Sequence, residues 1–152
     1  MNKPTSSAPS VIRRETTMLA VAGLWTLFVW VTRLRLASAD GTTSWLDWGR
    51  ILVSVSFGLI LVTLAMRIRR GTRSQWSAAA MIGFAVWTVV VWVPSLVSVL
   101  AGDQTSAFKL VHSFLAIGSL AVGAIIGGLA RREALFYPRA TSSQAEASTT
   151  AK

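Results

Sequence analysis

Residues 105–132, TSAFKLVHSFLAIGSLAVGAIIGGLARR, form a long apolar run that ends in two arginines. The run contains no acidic residue, and its polar titratable groups before the arginines, Lys109 and His112, lie near its start. About 20 mostly apolar residues suffice to cross a bilayer as a helix. Backbone groups in lipid must pair with one another, which favours a helix over irregular structure. The run therefore predicts a transmembrane helix.

Three further runs of similar length precede it, and the composition of the whole chain agrees with them. Its 152 residues are 53% hydrophobic and 14% charged, whereas a typical soluble domain has about 25% charged residues. We predict an all-α integral membrane protein with four transmembrane helices, near residues 17–36, 48–66, 77–100 and 108–130. The chain has no cysteine, which excludes disulfides, thiolate metal ligands and cysteine nucleophiles.

The basic residues indicate an orientation. The formal net charge is +9, and eleven of the fifteen basic residues fall on the side of the predicted spans that holds both termini. The positive-inside rule then places both termini in the cytoplasm of a multi-pass protein of the plasma membrane. Because these residues flank apolar spans, we expect them to bind the anionic headgroups of the lipid bilayer and not nucleic acid. The arginines assigned to headgroups are Arg67, Arg69, Arg70, Arg73, Arg131 and Arg132.

The first span has an alternative interpretation as a cleaved signal peptide. Arg13 and Arg14 precede it, and residues 37–39 (ASA) match a small-residue cleavage pattern. Arg33 and Arg35 stand between the apolar stretch and that pattern, where secretory signals normally carry no charge. We therefore expect the segment to be retained as a membrane span.

An internal repeat relates the two halves. Residues 25–31 (WTLFVWV) match residues 87–93 (WTVVVWV) at five of seven positions, at an offset of 62. The same offset pairs Arg50 with His112. Coincidence between apolar spans of similar composition is the alternative. We expect two tandem hairpin repeats that insert in the same orientation, at 17–70 and 77–132, with a cytoplasmic loop at 71–76 and disordered cytoplasmic tails at 1–16 and 133–152.

Five tryptophans fall near the ends of the predicted spans, where tryptophan is typical of a membrane–water interface. We expect the outer interface for Trp30, Trp45, Trp48 and Trp92, and the inner interface for Trp76. Trp25 and Trp87 lie nearer mid-membrane, where we expect them to pack in the core.

A motif in the second half resembles a known family. Thr105, followed by Ala107-Phe108 and Val111-His112, with glycines further along the helix, resembles small, uncharacterised actinobacterial two-helix membrane proteins. Those proteins carry a Trp-rich first helix and an AFxxVH start to a glycine-bearing second helix. The resemblance covers residues 87–132, and covers 25–70 more loosely, since Arg50 replaces the histidine. It implies a fused pair of two-helix units and no particular activity.

His112 is the only histidine of the chain. Since its repeat partner is Arg50, we predict that both are polar hydrogen-bond donors at the interface. Proton or pH sensing and cofactor ligation are the alternatives, and ligation would need a second imidazole from another copy. We predict no catalytic residue, no metal and no cofactor. All carboxylates lie outside the predicted spans, which counts against proton-coupled transport.

Small residues recur on one face of the fourth span, at spacings of three and four. We predict that this ladder packs against another helix: Ala116, Ser119, Gly123, Gly127 and Ala130. Its GxxxG element lets two backbones approach closely in lipid. The facing helix belongs to this chain or to another, either a different membrane protein or a second copy. We expect a non-catalytic accessory or scaffold subunit that acts through helix–helix contacts, with a permeation pathway or a holin-like lesion protein as the alternative.

Overall fold

A computed structural model describes residues 8–40, 44–72 and 76–136 of the chain. Over these ranges the regular structure consists of four helices, α1 (Ala8–Asp40), α2 (Trp45–Arg69), α3 (Trp76–Ala101) and α4 (Ser106–Phe136). Each helix contains a segment long and apolar enough to cross a membrane. The prediction of an all-α chain with four candidate membrane spans is confirmed.

The four helices form a bundle of two closely packed pairs. α1 packs along α2, α3 packs along α4, and the pairs meet through lighter contacts of α1 with α4 and of α2 with α3. Short connections make consecutive helices antiparallel. The start of α1, the end of α2, the start of α3 and the end of α4 therefore share one end of the bundle. We call this the terminal end, and the opposite one the loop end.

All four helices are longer than the predicted spans, and α1 and α4 extend furthest beyond them. α1 begins at Ala8, so the prediction of a disordered tail was wrong for residues 8–16. Pro9 suits a first helical turn, where a missing N–H costs nothing. The Thr16 hydroxyl donates to the Ile12 carbonyl at 2.7 Å and adds a bond inside the helix.

α4 continues to Phe136, so residues 133–136 are helical as well. Once a helix exists, each added residue gains a hydrogen bond at low cost, and this extension contains good helix formers. The rest of the predicted tails, residues 1–7 and 137–152, lies outside the described residues.

α2 has a defined cap at each end. At its start the Ser44 hydroxyl accepts from the Asp47 amide at 3.3 Å and donates to the Asp47 carboxylate at 2.8 Å, so Ser44 is an N-cap for the first turn. At its end Gly71 has a φ of 78°, a conformation that glycine adopts without strain. The Thr72 amide donates to the Arg67 carbonyl at 2.9 Å, which is the bond of a Schellman motif. The chain therefore turns sharply after α2.

The closest approach of α1 and α2 occurs at two glycines that the sequence analysis did not single out. A β-carbon on Gly23 would lie 2.7 Å from Val62 Cγ2 and 2.8 Å from the Gly58 carbonyl oxygen. A β-carbon on Gly58 would lie 2.9 Å from Leu27 Cγ. Only glycine permits this backbone separation, so these positions set how closely the first pair packs.

The second pair uses glycines of α4. A β-carbon on Gly123 would lie 3.1 Å from Thr88 Cγ2, and one on Gly127 would lie 3.3 Å from Ala85 Cβ. Both contacts are with α3 of the same chain. The other members of the predicted ladder, Ala116, Ser119 and Ala130, are also buried.

An apolar core fills the half of the bundle near the terminal end. All four helices contribute buried side chains to it, with no charged group among them: Leu19, Ala22, Leu61, Leu64, Ala65, Ile68, Met81, Phe84, Ile126 and Ala130. This packing closes the bundle on that side and leaves any internal space to the half near the loop end.

Candidate functional site

The half of the bundle near the loop end contains an open cavity of about 680 Å³, which we call the vestibule. Its volume is in the range of ordinary ligand pockets, roughly 300–1,000 Å³. All four helices line it with apolar side chains of valine, leucine, isoleucine, phenylalanine and tryptophan. Its polar lining residues are Thr32, Arg33, Asp47, Arg50, Ser95, Ser98, Gln104 and His112.

Two tryptophans form the floor of the vestibule. The rings of Trp30 and Trp92 contact each other with centroids 6.2 Å apart and planes inclined at 59°. Trp92 is only 9% exposed. Both were expected at the outer interface, and in the structure their rings face each other inside the bundle, because each follows a buried threonine by four residues, Thr26 and Thr88. Residues four apart share a helical face, so both indoles turn inward.

Below this floor lies a polar centre in which each helix pair bonds to the other. Trp25 Nε1 of α1 donates to Ser119 Oγ of α4 at 3.2 Å. Trp87 Nε1 of α3 donates to Ser54 Oγ of α2 at 2.9 Å. Trp25 and Trp87 were expected to pack in the core, and their indole nitrogens have this additional role. The indole N–H of a buried tryptophan usually donates a hydrogen bond to an acceptor of this kind.

The space at this centre is small. Its cavity measures about 10 Å³, which is room for roughly one water molecule. The hydroxyls of Thr26 and Thr88 donate to the carbonyls of Ala22 and Phe84, both at 2.8 Å. The polar groups of the centre are thus partnered inside the bundle, and the vestibule does not continue through it.

The charges of the vestibule are incompletely paired. Arg50 Nη1 lies 3.7 Å from Asp47 Oδ1, with side chains 55% and 42% exposed. A pair this exposed contributes about 0–1 kcal/mol. Asp47 pairs with Arg50 and not with Arg33. Two guanidinium groups and one carboxylate therefore share the cavity.

His112 lines the vestibule together with Arg50, so the two predicted interfacial donors belong to one cavity. The imidazole stacks on Phe108 with ring centroids 3.9 Å apart. Its Nδ1 is buried and has no hydrogen-bond partner. A buried, unpaired N–H is costly, so Nδ1 is the less favourable of the two ring nitrogens to carry a proton. Nε2 is then the nitrogen that can donate to a molecule in the vestibule.

The other predicted residues lie apart from this site. Within the described part of the chain, the arginines assigned to headgroups are exposed at the terminal end: Arg67, Arg69, Arg70, Arg131 and Arg132. Arg73 lies outside the described residues. Trp45 and Trp76 are exposed, as expected of interfacial tryptophan.

The outer face of α4 lies opposite the buried ladder, and the size of its exposed side chains changes along its length. Leu110, Phe114 and Ile117 are exposed in the half near the loop end. In the other half that face exposes three small residues, Ala121, Ala124 and Gly128, which we call the α4 strip, with Ile125 exposed beside them. Nothing lies within 4 Å of a β-carbon placed on Gly128.

The vestibule has several features of a binding site. The vestibule is concave and largely apolar, with a few convergent donors, which is typical of ligand sites. No three His, Asp or Glu side chains of the described residues are grouped as metal ligands would be. No protein-family model, curated protein or solved structure matches the chain.

Proposed function

We propose that the chain is a non-catalytic protein of the plasma membrane that works as an accessory or scaffold subunit through helix–helix contacts. The α4 strip carries this proposal. The predicted glycine ladder packs against α3 of the same chain, at Gly123 and Gly127. Ala121, Ala124 and Gly128 have no such neighbour and lie on the outside. Small residues at this spacing let the backbone of a partner helix approach closely in lipid.

Co-purification in a mild detergent, followed by mass spectrometry of the associated proteins, tests this role. We expect a membrane partner or a second copy of the chain to be retained. Ala124→Leu and Gly128→Leu should remove it while the monomer stays folded, because neither residue packs inside the bundle. Ile117→Leu on the same face is the matched control. Retention of the same partners by the strip variants would contradict the assignment of the strip.

We infer that both termini lie in the cytoplasm and that the four helices cross the plasma membrane. The distribution of arginine supports this orientation. Among the described residues, seven exposed arginines lie at the terminal end: Arg13, Arg14, Arg67, Arg69, Arg70, Arg131 and Arg132. Arginine in short loops is retained on the cytoplasmic side. The vestibule then faces the outside of the cell.

We also infer that the chain is a tandem duplication of a two-helix unit. Burial at positions 62 apart supports this origin: Leu19 and Met81 are both buried, as are Thr26 and Thr88. The resemblance to small actinobacterial two-helix membrane proteins points the same way. The reciprocal bonds of Trp25 and Trp87 add support, since each tryptophan reaches the other pair of helices.

The vestibule favours one second candidate, a permeation pathway or a holin-like lesion protein. An open cavity at one end of a four-helix bundle is what such a pathway would need at its mouth. The apolar core closes the other end in this conformation, so conduction would require the helix pairs to separate. Controlled expression distinguishes the two roles: a lesion former stops growth and collapses the membrane potential, whereas an accessory subunit is tolerated.

A further inference from the structure

We propose that the vestibule is a binding site for an anionic phospholipid, with the phosphate held by Arg33, Arg50 and His112 and an acyl chain against the tryptophan floor. This inference rests on the membrane placement proposed above and is independent of the accessory role. It assigns a ligand class to the vestibule, a cavity of about 680 Å³.

The charge of the lining selects for an anion. Arg33 and Arg50 each bring one positive charge and Asp47 one negative charge, so the guanidinium groups outnumber the carboxylate in the cavity lining. The carboxylate is already engaged by the Ser44 hydroxyl at 2.8 Å. Arg33 forms no ion pair with Asp47, the carboxylate of the cavity lining. Guanidinium groups form short, often bidentate hydrogen bonds to phosphate.

His112 adds a hydrogen-bond donor to the two guanidinium groups. Its Nδ1 is buried and has no hydrogen-bond partner among the described residues, which leaves Nε2 as the ring nitrogen that would donate to a bound molecule. Stacking on Phe108 at 3.9 Å holds the ring in place. Hydrogen-bond donors from α1, α2 and α4 therefore line one cavity. A site at a single helix end would have donors from one helix only.

The apolar part of the lining selects for a chain attached to that anion. Trp30 and Trp92 close the bottom, and Val29, Val91 and Leu115 contribute to the walls. A free inorganic anion would leave this apolar surface in contact with water, at a cost proportional to its area. A phospholipid covers it with an acyl chain. The bilayer supplies such molecules at the height of the cavity, which makes a lipid the expected occupant.

Titration of the detergent-solubilised full chain with defined lipids, followed by native mass spectrometry, tests the proposal. The two probes are phosphatidylglycerol and phosphatidylcholine with identical acyl chains, so only the headgroup charge differs. We expect one tightly bound phosphatidylglycerol per chain and weaker binding of phosphatidylcholine. Inorganic phosphate in large excess should not displace the lipid.

Three variants locate the site. Arg33→Gln combined with Arg50→Gln should weaken binding of phosphatidylglycerol roughly tenfold or more, because two charge-assisted contacts are lost. The matched control is Arg35→Gln combined with Arg131→Gln, which removes the same charge from exposed residues that do not line the vestibule. Ser98→Trp keeps every charge and fills the cavity, and should abolish tight binding.

Each result decides for or against the site. Equal weakening by the control pair would show general attraction of anionic lipid and overturn the proposal. So would equal binding of the two lipids, displacement by inorganic phosphate, or full binding by Ser98→Trp. Loss of lipid binding with the partner still co-purifying separates this site from the α4 strip. If the wild-type chain binds no lipid tightly but keeps its partner, only this inference fails.

Discussion

Trp30 and Trp92 lie 62 residues apart in the chain and contact each other across the bundle, with ring centroids at 6.2 Å. They belong to α1 and α3, which are diagonal neighbours. Their indoles separate the open vestibule from the polar centre and the apolar core beneath it. The vestibule is consequently closed at its bottom. Because one tryptophan belongs to each helix pair, the shape of the vestibule depends on how the two pairs pack.

Removal of either tryptophan from this floor should lower the stability of the protein measurably. We expect Trp92→Ala to lower the free energy of unfolding in detergent by about 1–3 kcal/mol. This is less than the roughly 3–5 kcal/mol typical of water-soluble cores, because an unfolded chain in detergent keeps its indoles in apolar surroundings. Trp76→Ala is the control, since that side chain is exposed. Equal effects of the two variants would mean that the contact with Trp30 contributes nothing.

Gly23 should tolerate no side chain. A β-carbon there would lie 2.8 Å from the Gly58 carbonyl oxygen, a backbone atom that cannot move without shifting α2. We expect Gly23→Ala to destabilise the protein by about 1–3 kcal/mol, as overpacking does. Gly49→Ala on α2 is the control, with nothing within 4 Å. Thermal unfolding followed by circular dichroism measures both, and an unchanged midpoint for Gly23→Ala would contradict the close approach.

The bond between Trp87 and Ser54 should contribute modestly to the association of the helix pairs. A double-mutant cycle with Trp87→Phe and Ser54→Ala isolates it. We expect a coupling of about 0.5–1.5 kcal/mol, near the values found for hydrogen bonds between membrane helices. Trp87 with Ser119 is the control pair, because Ser119 bonds to Trp25 instead. A coupling of zero for the first pair would show that the observed 2.9 Å contact adds no stability.

Substitution of His112 tests whether its role is hydrogen bonding or ligation. We expect His112→Arg to be tolerated, because arginine keeps a donor at a position where the matching residue is Arg50. His112→Leu should be mildly destabilising, since it loses the Nε2 donor and the stacking on Phe108. Absorbance spectra and metal analysis of the purified protein should show neither haem nor stoichiometric metal. A bound group that disappears in His112→Arg would establish ligation instead.

Single cysteines test the orientation, because the chain has none of its own. Thr72→Cys should resist an impermeant thiol reagent in intact cells, since Thr72 follows α2 at the terminal end. Gln104→Cys, between α3 and α4, should react. Permeabilised cells provide the control in which both positions become labelled. Labelling of Thr72→Cys with protection of Gln104→Cys in intact cells would invert the orientation.

The number and approximate limits of the apolar helices could be predicted from the sequence alone, because lipid leaves the backbone few alternatives. The buried face of α4 could also be predicted. The spacing of Gly123 and Gly127 places both on one face of the helix, whichever helix packs against it. α2 extends only slightly beyond its predicted span, and a cap defines each of its ends. Local chemistry determines all of these features.

Which faces meet was decided only by the tertiary structure. Gly23 and Gly58 are isolated glycines in their helices, and their importance arises because the two backbones cross there. Trp30 lies at the depth expected of an interfacial residue, but depth does not determine whether a side chain faces lipid or a neighbouring helix. Arg33, Arg50 and His112 come from three helices, so their shared cavity depends on how the pairs dock. Side-chain periodicity defines a face, and only packing between helices selects what that face contacts.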